Sequence, residues 1–334
     1  MNELVFFINN VLISGAVAGS IYALGAVGIT LVFSIMRFAH FAHADMMTFG
    51  AFMVFVFTAM FPGAGAALGI PTPILMLPIA MVITASLAIG LDKAFYKPLR
   101  DNGVKPIVLV IASLGVTLML QGLIRMFAGT SSRSLYIGER KEIYRIDVPI
   151  EGVLRPIIIT DPQIWLIAFA VIVVVALHYF LTKTRMGKAM RAMSDNADLA
   201  QVSGINTKAV IMVTWIIAGS LAAMAGTMLA MDVALQPQLS FFILLPIFAA
   251  TIVGGVGQPY GAIAGGYLVG FVETLSVFNW SILLRPLAPM LPDALEIPRS
   301  LALVGTEYKI VVPFFILVVV LIWRPTGIFK GKVI

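Results

Sequence analysis

Long uncharged runs alternate with short polar segments along most of this 334-residue chain. No Asp, Glu, Lys or Arg occurs from Leu4 to Met36, from Met46 to Leu91, or from Val233 to Val272. A helix needs about 20 apolar residues to cross a bilayer, so the longer runs contain more than one span, divided by clusters of Pro and Gly. The pattern predicts nine spans, with Leu4 to Ile13 lying along the membrane surface ahead of the first one.

Basic residues are distributed unevenly between the two sets of loops that these spans define. Arg37, residues 92–105, residues 183–208 and the C-terminal tail together carry 13 of the 22 Lys and Arg residues. The opposite set carries nine, six of them in residues 125–161. Because cytoplasmic loops are enriched in Lys and Arg, we expect the N-terminus outside, the C-terminus inside, and residues 183–208 in the cytoplasm.

Residues 125–161 are the sizeable polar segment on the predicted outer side. Apolar residues alternate with polar residues or Pro from Tyr144 to Ile150, and Val153 to Thr160 is rich in β-forming residues. This pattern predicts a small β-hairpin. Residues 281–306 are rich in Pro and polar residues, and the pattern assigns them no structure.

The composition gives the fold class without any motif. The chain is 60% hydrophobic, only 11% charged, and has a mean hydropathy of +1.02, whereas soluble domains carry roughly 25% charged residues. We therefore predict a single transmembrane domain over residues 1–334, all-α and polytopic. It has about eight or nine transmembrane helices, broken or re-entrant segments, and a small extracytoplasmic β-hairpin. The net charge of +6 indicates loops that face anionic lipid and a cytoplasmic partner, not nucleic acid.

A polar island from Arg37 to Asp45 interrupts two apolar runs. Its His40-x-x-His43-x-Asp45 spacing is compatible with three metal ligands, but no fourth protein ligand is evident. The alternative, which we favour, is a broken helix end whose polar groups satisfy free backbone groups. In that interpretation Asp45 begins the next span and accepts hydrogen bonds from free N–H groups, with His43 as a nearby donor.

A second polar segment, from Lys183 to Asn206, lies between two spans. Its first half places Met residues at helical spacing beside basic ones, which predicts an amphipathic basic helix. Ser194-Asp195-Asn196 is a cluster of N-cap residues, and Asp198 suits a helix N-terminus. A short second helix would then carry Leu199 and Val202 on one side and end at Gly204. From the residues alone, an inert charged loop is the alternative.

The same segment resembles the cytoplasmic coupling loop of the ABC-importer permeases for branched-chain amino acids. The matching residues are Arg185-Met186-Gly187-Lys188-Ala189, Arg191-Ala192, Ala200 and Gly204-Ile205-Asn206. Four further matches cover most of the chain, at residues 41–52, 92–100, 254–273 and 324–329. The glycines of 254–270 lack the Lys-Ser or Lys-Thr of a phosphate-binding loop, and they are interpreted as a tight cytoplasmic turn between two spans.

The resemblance implies a permease subunit of the shorter type, in the bacterial inner membrane. Its implied partners are a homologous second permease, cytoplasmic ABC ATPase subunits, a periplasmic solute-binding protein near residues 125–161, and membrane lipids. The chain itself would need no cofactor, because the partner subunits hydrolyse ATP. The residues expected to couple to the ATPase are Arg185, Gly187, Asp195, Asp198, Leu199, Ala200, Val202, Gly204 and Asn206. Those expected along the translocation path or its helix break are Phe41, His43, Asp45, Gly254, Gly255, Gly257 and Gly261.

Other functions stay open at this point. The sequence has no H-E-x-x-H, no G-x-S-x-G and no cysteine, which argues against a membrane enzyme. An ion-coupled secondary transporter or channel would need intramembrane acids or bases, for which Asp45 and Glu273 are the candidates. The same permease architecture would also suit urea, short amides or another small solute.

Overall fold

The computed structural model describes residues 2–147, 149, 154–286 and 298–329. In chain order its helices are α1 (Asn2–Met36), α2 (His43–Met60), α3 (Thr72–Asp101), α4 (Pro106–Ala128), α5 (Asp161–Lys183), α6 (Arg185–Asp195), α7 (Ala197–Val202), α8 (Thr207–Asp232), α9 (Phe241–Gly254), α10 (Pro259–Val277), α11 (Ser281–Leu284) and α12 (Val311–Trp323). Two strands, β1 (Ile143–Ile146) and β2 (Ile157–Thr160), complete the regular structure of the described residues, with short 3-10 turns at Ala66–Leu68 and Thr306–Tyr308.

Seven of these helices, namely α1 to α5, α8 and α10, are long and apolar enough to cross a membrane, and α9 and α12 are shorter apolar helices. The predicted fold class, an all-α polytopic membrane protein, is confirmed. The nine predicted spans correspond to the seven long helices and the two short ones.

Helix α1 lies at the centre of the packing. Nearly every side chain from Ser14 to Met36 is buried, and α1 contacts α5, α8, α9 and α10. Its closest partner is α10, where a Cβ added to Gly266 would lie 2.5 Å from the backbone nitrogen of Ala23. Small residues permit this approach of two backbones, which is how helices associate in lipid.

The predicted surface segment at the start of the chain is wrong. Leu4 to Ile13 is part of α1, because Phe7, Ile13 and Ser14 all keep right-handed helical dihedral angles. The helix passes through one wide π-helical stretch, Ile8–Ile13, without a break. A similar stretch, Asp92–Tyr96, carries α3 on to Asp101, so the polar loop predicted at 92–105 is mostly helix.

A re-entrant segment precedes α9. Helix α9 has 14 residues, about 21 Å, which is too short for a 30 Å hydrocarbon layer. Its N-terminus lies within the protein, where the Ser240 backbone nitrogen donates to the Thr48 hydroxyl at 3.2 Å. Residues 233–240, which lead into α9, form no helix or strand. Leu235 and Ser240 in this segment are fully buried. Irregular backbone at membrane depth is tolerated where protein surrounds it.

The predicted β-hairpin is present, with shorter strands than the sequence pattern implied. Strands β1 and β2 pair antiparallel, with Ile143 opposite Thr160 and Ile146 opposite Ile157. Asn9 of α1 holds this hairpin by accepting from the Ile158 nitrogen at 3.1 Å. The predicted strand positions Val148, Ile150 and Val153 lie outside the described residues.

Residues 281–306, to which the sequence assigned no structure, begin with the short helix α11. Asn279 ties the end of this region to α10, because its carboxamide oxygen accepts from the Leu301 nitrogen at 3.0 Å. Residues 287–297 lie outside the described part of the chain.

Candidate functional site

The polar segment after α5 folds as two short helices with a side-chain cap at each start. The Thr184 hydroxyl accepts from the Gly187 nitrogen at 2.9 Å and so caps α6. The Asn196 side chain accepts from the Leu199 nitrogen at 3.0 Å and caps α7. Asn206 then caps α8 by accepting from the Ala209 nitrogen at 3.1 Å. These local hydrogen bonds satisfy helix N–H groups, and they confirm the two-helix organisation predicted from the sequence.

Helix α6 buries one face and exposes the other. Gly187, Met190 and Met193 are buried, and the helix contacts α1, α5 and α8. A Cβ on Gly187 would overlap the Phe180 carbonyl oxygen and lie 2.6 Å from the Leu181 Cα, so the end of α5 requires glycine here. The basic residues Arg185, Lys188 and Arg191 are exposed, and Asp195 is the last residue of α6.

Helix α7 carries an exposed apolar pair. Leu199 is 62% exposed and Val202 is 81% exposed, whereas Ala200 is buried. Asp198 lies in the first turn, where a negative charge opposes the positive helix end. Gly204, at φ +83°, ends the helix. Two exposed apolar side chains three residues apart on a capped helix form a surface suited to a partner protein.

A contact that the sequence did not reveal connects this segment to the polar island. Arg37 adopts φ +58° at the end of α1, and among the described residues it is the one non-glycine residue with positive φ. Its guanidinium donates to the Ser194 carbonyl oxygen near the end of α6. A cation there also opposes the negative end of α6. Because these residues are far apart in sequence, no local pattern could have predicted the contact.

An aromatic cluster fills the space behind the polar island. The Nε2 atom of His40 lies 3.0 Å from the Tyr96 hydroxyl oxygen, and the Tyr96 ring stacks on Trp215 with centroids 5.6 Å apart. Phe38 packs beside Tyr96. Burial, together with the neighbouring His43, holds the pKa of the His40 imidazole well below its usual range. Sequence reasoning gave no role to Tyr96, which lies in the basic segment 92–105, or to Trp215, which lies in an apolar run.

The candidate metal ligands of the polar island, His40, His43 and Asp45, do not come together as a metal site. The rings of His40 and His43 are 6.3 Å apart and tilted by 69°. His43 instead packs against Gly28 of α1. Among the residues described, no group of three His, Cys, Asp or Glu side chains is placed to hold a metal ion.

Phe41 joins the polar island to two helices. Its ring packs on Phe248 of α9 with centroids 4.7 Å apart, and its backbone nitrogen donates to the Ser113 hydroxyl of α4 at 3.2 Å. The break between α1 and α2 thus lies beside the re-entrant helix, well inside the bundle.

Asp45 does not cap α2 as predicted. The N-cap position is Ala42, and no side chain caps it. Asp45 lies in the first turn, fully buried, and the side chains of Gln121 and Thr117, on α4, act as hydrogen-bond donors to its carboxylate. The carboxylate therefore connects α2 to α4 and does not cap its own helix.

The depth of Asp45 makes its position unusual. Thr117 is the twelfth of the 23 residues of α4, so Asp45 lies beside the middle of a spanning helix. An acid at that depth costs about 2.5–3.5 kcal/mol on insertion scales. Such residues are rare in spanning segments, which makes Asp45 a candidate for a functional group.

The glycine turn between α9 and α10 is as tight as predicted. Gly255 and Gly257 have φ of +109° and +83°, which glycine adopts readily. A Cβ on Gly254 or on Gly261 would overlap the carbonyl oxygen of the other. The C-terminal turn packs here, since the Ile328 nitrogen donates to the Val253 carbonyl oxygen at 2.9 Å. Gly254, Gly255 and Gly261 have their close contacts with each other or with the C-terminal turn, whereas Gly257 lies nearest Ser34 of α1.

Glu273, the other intramembrane acid, is fully partnered. Its carboxylate accepts from the Tyr22 hydroxyl at 2.8 Å and pairs with the Lys309 ammonium at 3.2 Å. These contacts join α10 to α1 and to the segment before α12. The arrangement is structural and differs from that of Asp45, whose hydrogen-bonding neighbours are the neutral side chains of Gln121 and Thr117.

Comparison with known proteins identifies the family that has this architecture. Residues 11–321 match the family described as branched-chain amino acid transport system / permease component. This chain belongs to that family. The resemblance noted in the sequence is thereby confirmed, and the chain is a multi-pass membrane permease.

Individual relatives of the permease match over nearly its full length. It is 29% identical over 333 residues to the high-affinity branched-chain amino acid transport system permease protein LivH of Escherichia coli (strain K12) and to LivH of Salmonella typhimurium, covering 98% of this chain and 97% of each relative. It is 26% identical over 322 residues to the corresponding protein BraD of Pseudomonas aeruginosa, covering 95% and 94%. No solved structure matches the permease.

Proposed function

We propose that this permease is the membrane subunit of an ABC importer that moves branched-chain amino acids across the bacterial inner membrane. The observation that carries the proposal is the exposed Leu199 and Val202 pair on the capped helix α7. A membrane protein with no nucleotide-binding motif of its own needs a separate source of energy. This pair offers a cytoplasmic ATPase a small apolar contact, and the printed names of LivH and BraD support the solute class.

Each partner has a distinct surface in this proposal. ATPase subunits bind α6 and α7 from the cytoplasm through Arg185, Asp195, Asp198, Leu199 and Val202. Gly187, Ala200, Gly204 and Asn206 give the two helices their shape. A periplasmic solute-binding protein docks at the hairpin side, over residues 125–161, and lipids surround the outer faces of α4 and α5. The chain needs no cofactor, because ATP is bound and hydrolysed by the partner.

A second, homologous permease completes the path. Helices α4 and α5 expose many apolar side chains, including Leu118, Val171 and Val175, as expected of surfaces that face lipid or another permease. The solute passes near the helix break formed by Phe41, His43 and Asp45 and by α9 with its glycine turn. A weakly polar path suits zwitterions with apolar side chains, because it lets them pass without holding them strongly.

Reconstitution tests this function directly. The permease, its partner permease, ATPase subunits and binding protein are placed in proteoliposomes, and uptake of labelled leucine is measured. We expect uptake that requires ATP and the binding protein, with urea and short amides transported poorly. Uptake driven by an ion gradient without ATP would instead identify a secondary transporter, and preference for urea or an amide would reassign the solute.

A further inference from the structure

An apolar cavity of about 340 Å³ lies between α2, α3 and α4. Its walls include Phe52 and Leu87, and among the described residues Arg133 is the one charged member of the lining. Leu123 and Phe127, which also line it, are 42% and 80% exposed. The cavity therefore opens on the surface of the bundle beside the exposed apolar face of α4, where a membrane offers hydrocarbon chains.

A second cavity, of about 450 Å³, lies beyond the end of α4 and has a polar lining. Its walls include Ser134, Arg140 and Lys141, together with residues 233–234 at the start of the segment that leads into α9. Arg133 lines both cavities. An apolar cavity and a polar cavity thus adjoin at one guanidinium group, which fits an amphiphile with its tail in the first cavity and its head in the second.

The polar cavity has an excess of positive charge. Three basic residues line it against two acids, and both acids are engaged elsewhere. Asp232 pairs with Lys141 at 3.8 Å, and the Glu139 carboxylate accepts hydrogen bonds from the start of α3. Among the described residues, neither Arg133 nor Arg140 forms an ion pair. The head of the amphiphile that fits here is therefore anionic.

Local contacts hold the Arg133 guanidinium at the boundary between the two cavities. One Nη atom donates to the Ala128 carbonyl oxygen at 2.9 Å, and the group lies 5.1 Å from the centre of the Phe55 ring. An arginine side chain has five N–H donors in a planar fork, and no second hydrogen bond from this fork occurs among the described residues. Donors are thus left for a phosphate group, which guanidinium binds well.

We propose that the two cavities bind one anionic phospholipid, with an acyl chain between α2, α3 and α4 and the phosphate on Arg133. Because Arg133 lies between α4 and β1, the lipid belongs to the leaflet on the hairpin side. Arg140 adds positive charge beside the headgroup, and basic pockets of this kind favour anionic lipids. The site is independent of the solute that the permease transports.

Titration of the full-length, delipidated permease in detergent tests this site. Native mass spectrometry counts the lipid molecules bound from dioleoylphosphatidylglycerol and from dioleoylphosphatidylcholine, which has the same chains and no net charge. Glycerol phosphate supplies the phosphate group without the chains. We expect one tightly bound lipid, a preference for phosphatidylglycerol, and no competition by glycerol phosphate.

Variants of each cavity have different expected effects. Arg133→Gln should weaken binding of phosphatidylglycerol about tenfold, the scale of one hydrogen bond to a charged group, and abolish the preference over phosphatidylcholine. Leu123→Trp should weaken binding of both lipids, because the indole fills the apolar cavity. The matched controls are Arg125→Gln, which removes a charge at the same end of α4, and Leu118→Trp on its exposed face. Both residues lie outside the two linings, and both variants should bind as the parent does.

Two sets of results would overturn the site. Equal binding of the two lipids, or binding that neither Arg133→Gln nor Leu123→Trp weakens, would mean that lipid only coats the bundle. Competition by glycerol phosphate would assign the polar cavity to a water-soluble phosphate. Because the two variants alter different cavities, a folding defect in one, detected as a lower unfolding midpoint without lipid, leaves the other to decide.

Discussion

At the scale of residues, local chemistry decides the shape of the coupling segment. Thr184, Asn196 and Asn206 each accept a hydrogen bond from a nitrogen three residues ahead, which is a purely local interaction. This is why the sequence could predict two capped helices. The partners of Asp45, by contrast, are Thr117 and Gln121 on a helix more than 70 residues away, and no local pattern reveals them.

Gly187 offers a test of how closely α6 approaches α5. A Cβ there would overlap the Phe180 carbonyl oxygen, so Gly187→Ala should lower stability by about 1–3 kcal/mol through overpacking. Gly115→Ala is the matched control, because a Cβ at Gly115 of α4 has no neighbour within 4 Å. That variant should keep its stability or gain up to about 1 kcal/mol of helix propensity. Thermal unfolding midpoints of both variants in detergent provide the measurement, and equal midpoints would contradict the close contact.

At the scale of elements, the sequence predicted the features that depend on local interactions and missed those that depend on contacts between distant residues. The spans were predictable because each long helix carries its own apolar run, and the hairpin because its strands alternate locally. The continuity of α1 was not predicted, since the uncharged run is longer than one span needs and was divided into a surface segment and a span, whereas the helix continues through both. The depth of α9 was also hidden, because it depends on the contact of Ser240 with Thr48.

The exposed apolar pair of helix α7 leads to a prediction about docking of the ATPase. If its apolar pair inserts into a groove of the ATPase, Leu199→Asp would bury an unpaired charge at the contact and cost several kcal/mol of docking. Substrate-stimulated ATP hydrolysis and leucine uptake should fall together, while the permease accumulates normally. Gln201→Asp is the control, because Gln201 is exposed on the same helix and polar already.

The outcome of that comparison separates docking from a general charge effect. Equal loss in Leu199→Asp and Gln201→Asp would mean that added negative charge, not the apolar contact, disturbs the complex. Undiminished coupling in Leu199→Asp would show that α7 is an ordinary connector.

At the scale of the whole molecule, the two intramembrane acids have opposite settings. Glu273 is neutralised by Lys309 and bonded by Tyr22 near the outer end of α10, where it joins three parts of the chain. Asp45 lies beside the middle of α4 and faces the neutral side chains of Gln121 and Thr117. Both occupy apolar runs in the sequence and look alike there. Only the packing of α1, α2, α4 and α10 distinguishes a structural acid from a candidate solute contact.

The arrangement of helix ends also makes a prediction about the whole molecule. The end of α1, the α5–α8 connection and the glycine turn should lie on one side, the cytoplasmic side, and the hairpin on the other. Ser134 and Ser203 are exposed on opposite sides in this arrangement, and a chain without cysteine permits single thiols at either. Ser134→Cys should react with an impermeant maleimide added to intact cells. Ser203→Cys should react only after the membrane is opened or inverted, provided that the ATPase is absent and does not shield it. Because an odd number of crossings separates the two positions, labelling of both from outside, or of Ser203→Cys alone, would reverse the assigned sides and with them the place of the ATPase.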